Sequence, residues 1–203
     1  MHWNRVMSVL AIAACGVLLA TGGVSAATSA SATGARAGAQ AAGAAAARGT
    51  GTAPASGGAV RFTAYTNDDL PAATVVLTGV IGDFGSAVSV LPNGTVDPEH
   101  TSEFNLALTK GSFRILIGPL HAKLVQAFTH FKPNRKTCSG HVAATGAAPV
   151  VAGSGTGAYK GISGSFKLTI TVNEVDGQSS CHNGASVLLA QALFITGSGT
   201  VAF

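Results

Sequence analysis

Two acids continue apolar alternations in this chain. Asp83 follows Ile81 in register, and Glu174 follows Val172. A carboxyl held on an apolar face loses hydration, so its pKa rises and it gains the capacity to act as a general acid or base. The same two positions also read as solvated turns just past strand ends, Gly82-Asp83-Phe84-Gly85 being one of them. Asp68 lies in Asn-Asp-Asp-Leu-Pro, which is good turn chemistry as well as a place for a rim acid. Tyr159 is a candidate for packing or for touching a ligand at the end of a strand. Gln191, between Leu189 and Leu193, reads as a hydrogen-bonded core amide. No Ser-His-Asp or Cys-His arrangement emerges from the spacing, so no catalytic residue is assigned. Nothing calls for a cofactor.

The cysteines divide by context. Cys15 lies in an apolar N-terminal run, while Cys138 and Cys181 lie in the body of the chain. In an exported protein the default reading of the latter two is one disulfide. It closes a loop of about 44 residues, an entropic stabilisation of at most roughly 4 kcal/mol. His182 adjoins Cys181, but paired-ligand spacing such as C-x-x-C is missing, so no metal site is expected.

Export is read from the N-terminus. Arg5 and a short polar region precede an apolar run from Val6 to Ala20, and Val24-Ser25-Ala26 fits a signal-peptidase site, which makes 1–26 a signal peptide. The run is too short for a comfortable transmembrane helix, which needs about 20 residues. Ile12-Ala13-Ala14-Cys15 resembles a bacterial lipoprotein cleavage box, and its use would tether the protein through Cys15 rather than release it. Residues 27–58 are almost wholly Ala, Gly, Ser and Thr. Such a segment has little to bury and much entropy to lose, so it is expected to be a disordered linker. The folded domain is then 59–203.

That domain holds nine Lys and Arg, once Arg5, Arg36 and Arg48 are set aside from the chain's 12, against all 8 acids. Near-neutrality leaves nucleic-acid binding without electrostatic support beyond a local patch, so no nucleic-acid partner is expected. Within it, period-two patterns dominate. Phe166, Leu168, Ile170 and Val172 alternate with polar residues, and Phe104, Leu106 and Leu108 turn through Lys110-Gly111 into Phe113, Ile115 and Ile117. Further strands are expected at 60–62, 75–81, 186–196 and 199–203. One segment differs: residues 119–131 space Leu120, Leu124, Ala127, Phe128 and Phe131 three or four apart behind Pro119, predicting a short amphipathic helix. The basic stretch 121–136 carries His121, Lys123, His130, Lys132, Arg135 and Lys136. It reads as a solvated face, or as a docking surface for cell-wall polymers or acidic lipids.

The run GSGTGAYKGISGSF at 153–166 is too poor a phosphate loop to hold a nucleotide, because an alternating strand follows where a helix N-terminus is required. GSGTVAF at 197–203 echoes its opening. Pro149 to Gly164, PVVAGSGTGAYKGISG, resembles the P-V-V-G-G-T-G-x-F-x-x-A-x-G stretch of the dirigent and allene oxide cyclase-like barrels, with a two-residue insertion. Tyr65-Thr66-Asn67-Asp68 is similar to the dirigent Y-x-H-D.

The resemblance implies an all-β fold, an eight-stranded antiparallel barrel of calycin type with an internal cavity. Asp68 carries this match, and Asp68, Tyr159, Asp83 and Glu174 are the candidate ligand-binding residues. It also implies that 138–146 and 164–174 are antiparallel neighbours, which would bring Cys138 and the segment after residue 174 to one barrel end. Ala158 and Ser163 replace the charged residue and the arginine usual in plant dirigents, which weakens any radical-coupling role. The reading that results is a secreted barrel binding a small apolar ligand without a cofactor. An isomerase or cyclase of the allene oxide cyclase type, using Asp68 or Glu174, is one alternative. A non-catalytic cell-surface structural or interaction protein is the other.

Overall fold

The computed structural model describes residues 57–67, 72–98, 100–183 and 187–203. The expected signal peptide, the linker up to residue 56 and Asp68 lie outside them. Eight strands follow in chain order: β1 (Gly57–Asn67), β2 (Ala73–Gly79), β3 (Asp83–Val90), β4 (Glu103–Leu108), β5 (Gly111–Leu116), β6 (Ser139–Pro149), β7 (Ser163–Asp176) and β8 (Leu188–Ala202). Helix α1 (Gly118–Thr129) joins β5 to β6, and a short helix α2 (Gln178–Asn183) joins β7 to β8. The strands form one antiparallel sheet in the order β5-β4-β3-β2-β1-β8-β7-β6.

This sheet is a half-barrel, not the fully closed barrel that was expected. No ladder joins its edge strands β5 and β6; a single bridge, Ile115 to Val150, links them. The glycine-rich loop does the rest. After β6 it runs back along β5, with the Val151 amide donating to Arg114 O (2.8 Å), Thr156 to Ser112 O (2.8 Å) and Ala158 to Lys110 O (2.9 Å). Side chains add to the clasp: Ser154 Oγ accepts from the Arg114 amide at 2.9 Å, and Thr156 Oγ1 from that of Ser112 at 3.0 Å. Gly157 makes this approach possible. Its φ is +57°, and a Cβ there would collide with the Lys110 carbonyl.

Inward residues alternate along each strand, as β7 shows with buried Phe166, Leu168, Ile170 and Val172. The GSGTVAF echo serves packing. Gly199 on β8 lies between Val60 of β1 and Phe166 of β7, and Gly197 between Phe62 and Leu168. A Cβ on Gly199 would stand 2.8 Å from Phe166 Cδ1. With no side chain there, Phe62 and Phe166 reach across β8 and meet edge-to-face, centroids 5.9 Å apart. Helix α1 begins with Pro in its first turn and buries Leu120, Leu124 and Phe128. Leu120 packs over Gly146, an inward position of β6. The helix ends two residues earlier than the sequence pattern predicts.

Two differences concern strands. The runs 186–196 and 199–203 are one 15-residue strand, β8. Strand β3, absent from the period-two reading, completes the eight. Its Gly85-Ser86-Ala87-Val88-Ser89 stretch is too small and polar to alternate visibly, and Phe84 at its start points outward, 61% exposed.

Candidate functional site

Asp83 and Tyr159, 76 residues apart in sequence, meet at the end of the half-barrel where the glycine loop closes. The Tyr159 hydroxyl donates to Asp83 Oδ2 at 2.5 Å, and the Thr109 hydroxyl to Oδ1 at 2.5 Å. The amides of Phe84 (2.8 Å) and Lys110 (3.1 Å) complete the set. Asp83 is 5% exposed and Tyr159 2%. Burial pushes the Asp83 carboxyl up, but the four hydrogen bonds outweigh it and hold it well below the ordinary carboxylate range. Burial, and then the bond to Asp83 and its charge, push the Tyr159 phenol up. Both alternatives for Asp83 are therefore corrected: it is neither a solvated turn residue nor an acid with a raised pKa. A carboxylate whose two oxygens already accept four hydrogen bonds is a poor proton carrier. This is a knot tying the β2–β3 turn, the β4–β5 turn and the loop together, with the Tyr159 ring set against Phe113 at 5.4 Å and Phe203 at 6.3 Å.

Glu174 sits toward the opposite end, buried at 7% exposure on the inward face of β7 and paired in register with Gly140 and Gln191. Gln191 is also buried, and its Nε2 has no hydrogen-bond partner among the described residues, so the satisfied amide expected there is not observed. Cys138 and Cys181 do reach one end, as the strand pairing implied, but the expected disulfide is not formed and both thiols are free. Their sulfurs lie within 4.8 Å of each other, not at the roughly 2.05 Å of a bond. Cys181 Sγ also donates toward Asn134 O (3.6 Å) and Arg135 O (3.7 Å). Asp97 and His100 form an exposed pair at 3.2 Å, while Glu99 lies outside the described residues.

The interior of the half-barrel is formed by inward side chains of β4, β5 and β7. Leu106, Phe113 and Leu168 are 0% exposed, Phe166 1% and Ile170 3%. A hollow wide enough for water would leave accessible area on its walls, and a ligand cavity needs some 300 Å³ or more. These side chains fill the half-barrel instead.

Concavity and open polar chemistry lie outside. Register sets the outward residues of β6, β7, β8 and β1 in rows. One row is Thr145, Thr169, Thr196 and Thr63, continued by Val76 and Phe84. The next holds Thr171, Phe194 and Tyr65, whose two rings are each 41% exposed and lie 5.1 Å apart. On the other side run Ala147, Lys167, Ser198 and Arg61. An open trough of about 640 Å³ is lined here by Lys123, Thr145, Ser165, Lys167, Ser198 and Thr200. Lys123 reaches it from α1, donating to Thr145 O at 3.4 Å. The carboxylates on these four strands, Glu174 and Asp176, are both buried on the inward side. Arg61, Lys167 and Phe194 were not singled out from sequence, although their outward phase on alternating strands was the available signal. Of the basic stretch, Lys123, His130, Lys132, Arg135 and Lys136 are exposed, and burial lowers the His121 pKa.

No helix among the described residues is long and apolar enough to cross a membrane. No family model matches the chain, and no curated protein or solved structure matches it either.

Proposed function

We propose that this is an exported, non-catalytic interaction protein of the cell surface, built on a filled relative of the dirigent and allene oxide cyclase-like barrels, which docks an anionic polysaccharide on the outer face of β6-β7-β8-β1. The observation that carries this reading is the occupied interior. With Phe113, Leu106, Leu168 and Phe166 closing the space, neither an apolar ligand nor a cyclisation substrate has room inside, and function moves to the surface. Asp68 lies outside the described residues, and the two acids that the structure describes do not favour an enzyme. Asp83 is saturated with donors, and Glu174 is buried.

The chemistry of the outer face favours a charged sugar polymer. A pyranose offers a C–H face that stacks on exposed rings such as Tyr65 and Phe194, and a rim of hydroxyls that pairs with threonine and serine hydroxyls. Lys167 and Arg61 stand two strands apart in one row, about 10 Å, a spacing suited to successive anionic groups. Lys123 adds a third cation at the trough. The Ala/Gly-rich segment before the domain would serve as a spacer.

The test is binding of the full mature chain to polygalacturonate and to a neutral glucan of equal length. Preferential binding to the acidic polymer, weakened about tenfold by Arg61→Ala with Lys167→Ala and by Phe194→Ala, is expected. Equal binding to both polymers, or none, overturns the reading.

A further inference from the structure

We propose that Cys138, Cys181 and His182 form a Zn²⁺-binding site at the end of the half-barrel opposite the Asp83–Tyr159 knot. The two sulfurs and a ring nitrogen of His182 all lie within 4.8 Å of one another. In a tetrahedral site with Zn–S near 2.3 Å, two sulfurs sit about 3.8 Å apart, so the ligands close on an ion with shifts of an ångström or so. Two thiolates and one imidazole select Zn²⁺ over Mg²⁺ or Ca²⁺, which take oxygen ligands. The set leaves the fourth position to water.

The backbone holds these ligands in place. Cys138 is the one non-glycine residue with positive φ among the described residues, at 52°. A non-glycine side chain kept there is strained, and the surrounding bonds enforce it. Its amide donates to Asn134 O at 2.7 Å, and its carbonyl accepts from the Asp176 amide at 2.7 Å. Cys181 is tied in turn by its amide to Gly177 O at 3.1 Å, and Gly177 is anchored to Val187 O at 2.7 Å. Cys138 is buried at 2% exposure, Cys181 is half-buried and His182 is open to solvent, so the site has a dry floor and an entry path.

Two thiolates side by side repel, and a divalent ion removes the repulsion as each thiol gives up its proton. Sequence spacing concealed the set, because Cys138 precedes β6 while Cys181 and His182 follow β7, and only the β6–β7 pairing joins them.

The experiment is titration of the full mature chain, reduced and then freed of reductant, with Zn²⁺ alone. Calorimetry and Co²⁺ absorption, where sulfur-to-metal charge transfer reports thiolate ligation, serve as readouts. One ion per chain is expected, with thiolate bands in the Co²⁺ form. Cys138→Ser and Cys181→Ser should abolish both, and His182→Gln should weaken Zn²⁺ binding at least about tenfold, the scale that even supporting residues reach. Unchanged affinity in His182→Gln, or no uptake by the folded reduced chain, overturns the proposal. So does a Cys138–Cys181 disulfide in the chain isolated without reductant, since it consumes both sulfur ligands.

Discussion

The two ends of the half-barrel both bury titratable groups and treat them in opposite ways. At the clasp end, Asp83 receives four hydrogen bonds and its charge is fully compensated by protein. At the other, Cys138 faces a second thiol and a carboxylate and is driven toward its neutral form, while Gln191 Nε2 and Asn67 Oδ1 lack partners among the described residues. Completed bonding rigidifies and specifies a fold, whereas groups left short of partners mark a place where something else binds. The first end is therefore architecture, and the second is where the proposed Zn²⁺ site lies.

The largest expected effect breaks the clasp. Asp83→Ala leaves the Thr109 and Tyr159 hydroxyls and two amides without their shared acceptor. Leaving these buried donors without an acceptor costs about 3 kcal/mol, or roughly 10 °C in melting temperature for a domain this size. Tyr159→Phe keeps the ring against Phe113 and removes one charge-assisted donor, costing about 2 kcal/mol. The two substitutions together should cost less than their sum, because they break the same bond. Neither should alter Zn²⁺ uptake at the far end. A melting temperature within 2 °C or so of wild type for Asp83→Ala would break the comparison at its stronger side.

The ends should also separate along the pH axis. Asp83 has a folded pKa below its unfolded value of about 3.9. Its contribution is fully present above that value and is lost as pH falls through the depressed folded pKa. Tyr159 and Cys138 have raised folded values, so their contributions hold at neutral pH and fade in alkali: Cys138 between about 9 and about 11, Tyr159 from about 10 upward. Melting curves across pH should therefore show an acid limb that flattens in Asp83→Asn. The onset of the alkaline limb should shift upward in Cys138→Ser.

Much of the fold was legible because alternation is a local signal. Phe166 to Val172 reads as a strand with one buried face without any knowledge of its neighbours, and Leu120, Leu124 and Phe128 read as a helix behind Pro119. The site was less legible because its relationships are long-range. Asp83 was seen as an acid on an apolar face, but its partners arrive from 26, 27 and 76 residues away. Hydrogen-bond donors reverse the sign of a pKa shift, and no spacing rule reveals them. The threonine row across β6, β7, β8 and β1 depends on register, which a single strand does not encode. Strand β3 escaped because small residues can pack without an apolar alternation, its Ala87 lying buried between Ser86 and Val88.

The smallest effect is the sharpest discriminator. Cys138→Ser replaces the buried thiol with a hydroxyl of similar size and keeps the backbone bonds to Asn134 O and from the Asp176 amide. In the metal-free chain it should move the melting temperature by no more than about 3 °C. Wild type should gain stability with excess Zn²⁺ as binding to the folded state shifts the equilibrium, and Cys138→Ser should gain none. The thiol end would then be nearly silent in the empty chain and responsive when loaded, the reverse of the clasp end. If Cys138→Ser instead costs as much as Asp83→Ala without metal, both ends are architectural and the contrast between them fails.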